Sequence, residues 1–116
     1  MSNQQVIDYV KLGVQKGIIK LYDDNKRIEY VKQNKSRSFA NPEEIVQAET
    51  FCRLILEYGY PVQRVQNYVM TTRGSNKLEI DMIVYNDDEC LQPHIVVECK
   101  KEDVSEANGT YLSFLG

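Results

Sequence analysis

The chain has 116 residues, 42% hydrophobic and 27% charged, with a formal net charge of −3. Those numbers fit one small globular domain and argue against a general, strongly basic nucleic-acid binder. No apolar run approaches the roughly 20 residues that a membrane span needs, and Met1-Ser2-Asn3-Gln4-Gln5 lacks the basic start of a secretion signal.

Val6, Val10 and Val14, with Ile7 beside them, recur at helical spacing, so residues 3–16 predict a weakly amphipathic helix that Gly17 would end. Ile18–Tyr22 and Arg27–Val31 flank the turn Asp23-Asp24-Asn25-Lys26 and predict a β-hairpin. Residues 32–38 are polar and read as a loop. Next comes a strong helix start. Asn41 can cap, Pro42 suits the first helical position, and Glu44 stands three residues after the cap. This helix should run to about Tyr58 and stop at Gly59, ahead of Pro61. A short turn at Val62–Arg64, then strands over Val65–Thr71, Leu78–Tyr85 and His94–Cys99, complete the reading. The division is an N-terminal helix and hairpin over 1–40 and a core over 41–116, in one compact unit.

Charge is unevenly spread. Residues 1–40 carry eight Lys/Arg against four Asp/Glu, a balance of 8 − 4 = +4. Residues 41–116 carry six against thirteen, a balance of 6 − 13 = −7. A basic front could meet phosphates while an acidic back holds a metal; an unevenly charged, solvated surface explains the same numbers. The cysteines, Cys52, Cys90 and Cys99, form no C-x-x-C pair, so a reduced, cytoplasmic setting is expected and a zinc site is not.

The last two apolar strands carry charges that need a reason. Leu78–Tyr85 holds Asp81 at its centre, and Ile95-Val96-Val97-Glu98-Cys99-Lys100 runs into Glu98 and Lys100. Alternation puts Glu98 and Lys100 on one face, with Cys99 on the other. Charges in such strands are costly unless paired or bound to a metal. If the strands are neighbours, Asp81, Glu98 and Lys100 can converge. Two carboxylates with a backbone carbonyl, here that of Cys99, and water are hard ligands suited to Mg²⁺. Lysine beside them can orient a water or offset developing charge. The plainer alternative is an edge-strand Asp81 and a same-face Glu98–Lys100 ion pair. Glu44 adds to the first reading, because on a helical wheel it falls on the packing face with Ala48, Phe51 and Cys52. Its partner is either the helix start at Asn41 or the metal site, and both can hold in part. His94 and the thiol of Cys99 read as structural, as do Tyr68 and Tyr85, which could otherwise stack on bases.

The order helix-Glu, Asp, Glu-x-Lys resembles the PD-(D/E)xK nuclease superfamily. The segments Pro42-Glu43-Glu44-Ile45-Val46, Leu56-Glu57-Tyr58-Gly59-Tyr60-Pro61, Ile80–Tyr85 and Ile95–Lys101 look like the N-terminal nuclease domain of type I restriction enzyme R subunits, over roughly residues 41–106. The resemblance implies a restriction-endonuclease-like α/β core with a three-stranded mixed sheet. It also implies Mg²⁺-dependent cleavage of double-stranded DNA, with Mn²⁺ as a substitute metal. Asp81 and Glu98 would bind the metal, Lys100 would assist catalysis, and Glu44 would support the site. Methyltransferase and specificity subunits are the implied partners. ATP would serve only a full-length R subunit, since no G-x-x-x-x-G-K-[ST] loop occurs here.

The chain departs from that pattern in three places. Ile80 precedes Asp81 where the superfamily's name has Pro. Val46-Gln47 stands where relatives often have an Arg before the Gln. Ser105-Glu106-Ala107 begins something helix-like that Asn108-Gly109 interrupts, and Tyr111 is a weak stand-in for a helix tyrosine. The expectation is therefore a truncated or degenerate C-terminal helix and strand, in a fragment or a shortened relative. The alternative function is a catalytically silent, nuclease-like fold that binds DNA or assembles subunits; an ordinary structural α/β domain is a third.

Overall fold

A computed structural model describes residues 7–99 and 110–114. Helix α1 (Tyr9–Lys16) starts where Asp8 accepts from the Lys11 N–H, and it ends at Gly17 in the left-handed region (φ 79°). The cap sets the start later than apolar spacing alone suggests. Strands β1 (Ile19–Tyr22) and β2 (Arg27–Tyr30) form the expected hairpin. Asp23, Asp24 and Asn25 all take positive φ, which short polar side chains tolerate best.

Residues 32–38 are not simply a loop. Lys35–Ser38 form β3, paired antiparallel to β2 with Tyr30 opposite Lys35 and Ile28 opposite Arg37. The strand has no apolar residue, so hydrophobic alternation could not reveal it. Because opposed residues share a face, Lys35 and Arg37 lie on the side of the buried Tyr30 and Ile28.

Helix α2 (Pro42–Leu56) begins as expected, with Asn41 Oδ1 accepting from the Glu44 N–H at 2.9 Å. The 3₁₀ turn Val62–Arg64 leads into β4 (Val65–Arg73), β5 (Asn76–Tyr85) and β6 (Pro93–Cys99). Strand β7 (Thr110–Phe114) pairs with β6. The sheets run β1-β2-β3 and β4-β5-β6-β7. Two expectations need correcting. Every described pairing is antiparallel, so the larger sheet is not mixed. Where a truncated or degenerate C-terminal strand was expected, Thr110–Phe114 pairs with β6, and Tyr111 belongs to it, opposite Glu98, rather than to a helix. The helix-like stretch at 105–107 lies outside the described residues.

One core joins both sheets and α2. Tyr30 packs edge-on against Phe51 (4.9 Å between ring centres) and Tyr68 (5.9 Å), with Met82, Val84 and Val97 fully buried nearby. Burying a side chain such as Phe51 contributes about 1.5–3 kcal/mol. The small sheet is fastened to the outer edge of β4 at the fully buried Asn67. Gln33 accepts from the Asn67 N–H (2.7 Å) and donates to its Oδ1 (2.6 Å), while Lys35 donates to its carbonyl (2.6 Å). An edge strand's free backbone groups are thereby covered. Among the described residues, no helix is long and apolar enough to cross a membrane.

Candidate active site

The β4–β5 ladder is regular except in its middle. Asn67 pairs with Met82 and Val69 with Ile80, but Tyr68 and Asp81, which fall between, do not pair. Tyr68 sits at φ 55°, an unusual conformation for an aromatic residue in a strand. On its other side β5 pairs with β6 only as far as Met82 opposite Val97. Asp81 thus lies where the backbone ladder opens on both sides.

Side chains fill the opening. Asp81 Oδ2 accepts from the Cys99 N–H at 2.8 Å, extending the β5–β6 contact beyond the ladder. The Asp81 carbonyl accepts from Gln47 Nε2 of α2, also at 2.8 Å, and Gln47 is buried. Continued by one residue, the register sets Glu98 across from Asp81. The two carboxyl groups are close enough for a side-chain hydrogen bond from Glu98 to act on Asp81.

Burial pushes the Asp81 carboxyl up. The Cys99 N–H partly offsets this, the charges of Glu43 and Glu79 reinforce it, and the Glu98 hydrogen bond opposes it. Glu44 Oε1 accepts from the Tyr68 hydroxyl at 2.7 Å. Burial raises the Glu44 carboxyl too; Tyr68 and Arg37 pull it down, and Asp81 pushes it up. Half-buried carboxylates whose charged forms are disfavoured by neighbouring acidic groups make a site short of positive charge.

The expected residues therefore fall as follows. Asp81 and Glu98 come together, and Glu44 stands close enough to Asp81 for the Asp81 charge to raise its carboxyl. Asn41 caps the Glu44 backbone, while the Glu44 carboxylate takes the Tyr68 hydroxyl. Lys100 lies outside the described residues. Tyr68 packs in the core, as expected, but its hydroxyl also reaches the site. Burial pushes the thiols of Cys52 and Cys99 up to about 12, in keeping with a structural reading of Cys99.

Sequence reasoning missed Arg37, Glu79, Glu43 and the task of Gln47. Arg37 Cζ lies 3.7 Å from the Tyr68 ring centre, and its Nη2 pairs with Glu79 Oε2 at 2.9 Å. The one available signal was the alternation of Lys35 and Arg37 in a segment with no apolar residues.

Among the described residues, no group of three or more His, Cys, Asp or Glu side chains is gathered to hold a metal. A carboxylate pair is a different donor set. Mg²⁺ is commonly held by one or two carboxylates and keeps several waters, so two adjoining acidic oxygen donors fit it.

Fold and site define a small α/β domain with apposed carboxylates at an opened sheet. Residues 42–113 match the family described as type I restriction enzyme R protein N terminus, and the chain belongs to that family. No curated protein and no solved structure matches it.

Proposed function

We propose that this chain is a metal-dependent endonuclease domain that hydrolyses phosphodiester bonds in double-stranded DNA, built on a restriction-endonuclease-like core over 41–116 with 1–40 as an extension. The carrying observation is the apposition of Asp81 and Glu98 at the opened sheet, in a member of a restriction-enzyme family. Asp81, Glu98 and the Cys99 carbonyl would hold Mg²⁺, or Mn²⁺ in its place, with Glu44 supporting the site through the metal's waters. When bound, such a metal lowers the pKa of a water and stabilises the leaving oxygen. Gln47 holds the Asp81 backbone carbonyl and the Cys99 N–H holds its carboxylate, so the carboxylate is already oriented. Lys100 would hold the attacking water and offset charge on the phosphoryl oxygens. In the cell the domain would act in the cytoplasm beside methyltransferase and specificity subunits. ATP would be used only by the motor of a longer R subunit.

Plasmid nicking tests this. Wild-type chain should nick supercoiled DNA with Mg²⁺ or Mn²⁺ and not with EDTA, while Asp81→Asn and Lys100→Ala should be inactive and folded. Equal nicking by wild type and Lys100→Ala in matched preparations would sink the mechanism. Duplex binding with no nicking under any metal would favour the silent binding module.

A further inference from the structure

The candidate site is crowded with negative charge. The charges of Glu43 and Glu79 act on Asp81, and that of Asp81 acts on Glu44. A polyanion such as DNA is repelled from it unless cations stand at its edge. The N-terminal sheet carries two toward it. Lys35 and Arg37 project from the inner face of β3, where charge needs a partner. Lys35 is committed to the Asn67 carbonyl. Arg37 is differently placed. Its Cζ lies 3.7 Å over the centre of the Tyr68 ring, whose hydroxyl is bonded to Glu44, and its field reaches the Glu44 carboxylate. Its ion pair with Glu79 is open to solvent, with both side chains 40% exposed.

We propose that Arg37 is a phosphate-binding residue, which exchanges Glu79 for a backbone phosphate of double-stranded DNA lying across the Asp81–Glu98 site. This rests on the reading of the chain as one that acts on DNA. Three features support it. A solvent-exposed ion pair is weakly held and easily exchanged. A guanidinium can meet phosphate through two parallel N–H donors, a stronger arrangement than one contact to a carboxylate. Contact with the Tyr68 ring holds the guanidinium in place beforehand, which reduces the ordering cost of binding. Arg37 lies ahead of the matched segment, 42–113. Glu79, in turn, occupies the cation until DNA arrives.

The test is fluorescence anisotropy of a labelled DNA duplex, with Ca²⁺ as the divalent ion, titrated across salt concentrations. Arg37→Met keeps the apolar stem over Tyr68 and removes the charge. It should weaken binding about tenfold and reduce the log–log salt slope by about 0.9, the value of one phosphate contact on B-form DNA. Arg37→Lys should restore the slope, and Glu79→Gln should tighten binding. A purely structural Arg37 would leave the slope unchanged. Equal slopes for wild type and a folded Arg37→Met, or no duplex binding by wild type, would overturn the proposal. A slope that depends on Arg37 without any nicking upholds this contact and removes catalysis, whereas nicking with an unaffected slope does the reverse.

Discussion

The Tyr68 hydroxyl donates to Glu44 Oε1 at 2.7 Å from the point where Tyr68 breaks the β4–β5 ladder. Left-handed backbone at a bulky residue costs on the order of 1–3 kcal/mol and survives only where surrounding contacts over-determine it. Here Tyr30 meets the ring edge-on, Arg37 lies over it and Glu44 holds its hydroxyl. Tyr68→Phe keeps the ring contacts and deletes one hydrogen bond to a carboxylate. Urea unfolding at pH 7 should show a loss of about 1.5–3 kcal/mol. The bond favours charged Glu44, so its removal should raise the Glu44 pKa further in an NMR titration. An unchanged Glu44 titration would mean that the hydrogen bond is not formed in solution.

Asp81 and Glu44 make the metal-free protein respond to pH in an unusual direction. Both carboxyls are raised above their ordinary values of 3.8 and 4.5. The folded state therefore binds their protons more tightly than the unfolded chain does. Their contribution to stability is fully present below those ordinary values and is lost as pH rises through the raised ones. Asp81→Asn retains an oxygen for the Cys99 N–H and cannot ionise. In EDTA the variant should match or exceed wild-type Tm at pH 7, with the difference closing near pH 4. A lower Tm at pH 7 than at pH 4 for the variant relative to wild type would contradict the raised Asp81.

A cation that meets those charges should reverse the effect. Mg²⁺ or Mn²⁺ should raise the wild-type Tm at pH 7, reaching about 2.7 kcal/mol of added stability at one hundred times its dissociation constant. The shift should fade in acid and be absent in Asp81→Asn. Differential scanning fluorimetry with a Ca²⁺ and Na⁺ series checks it. A shift of equal size in Asp81→Asn would place the ion elsewhere.

What the sequence disclosed follows the kind of signal each part gives. Helix α2 announced itself through Asn41, Pro42 and Glu44, which act locally, and strands β4 to β6 through apolar runs. Asp81 and Glu98 stood out because charge inside such runs is costly. Strand β3 was illegible, because Lys35–Ser38 joins its sheet through backbone pairing and carries no apolar stripe. Arg37 was hidden with it. The partnership of Tyr68 and Glu44 was illegible for another reason. It depends on one positive φ in β4 that breaks strand parity, and no residue type at position 68 signals that. Antiparallel pairing of β6 with β7 was likewise obscured, since residues 105–109 resemble an interrupted helix and β7 is short.

The packing of α1 on α2 depends on a missing side chain. Gly13 is buried in α1, and a Cβ built there would collide with Cys52 Sγ and press on Ile19. Alanine is favoured over glycine inside a helix by about 0.8–1.0 kcal/mol, so propensity alone predicts that Gly13→Ala stabilises. Overpacking a well-filled core costs typically about 1–3 kcal/mol, and the collision is with a fully buried side chain that has little room to turn aside. Packing should win, so Gly13→Ala should lower stability in urea unfolding. Shortening the partner distinguishes this from a general intolerance of α1 to change. Cys52→Ala removes the sulfur that the new methyl would strike. The double variant Gly13→Ala with Cys52→Ala should therefore lose less than the sum of the single losses, a coupling expected of residues in direct contact. Simple additivity would show that the two helices separate to accommodate the methyl.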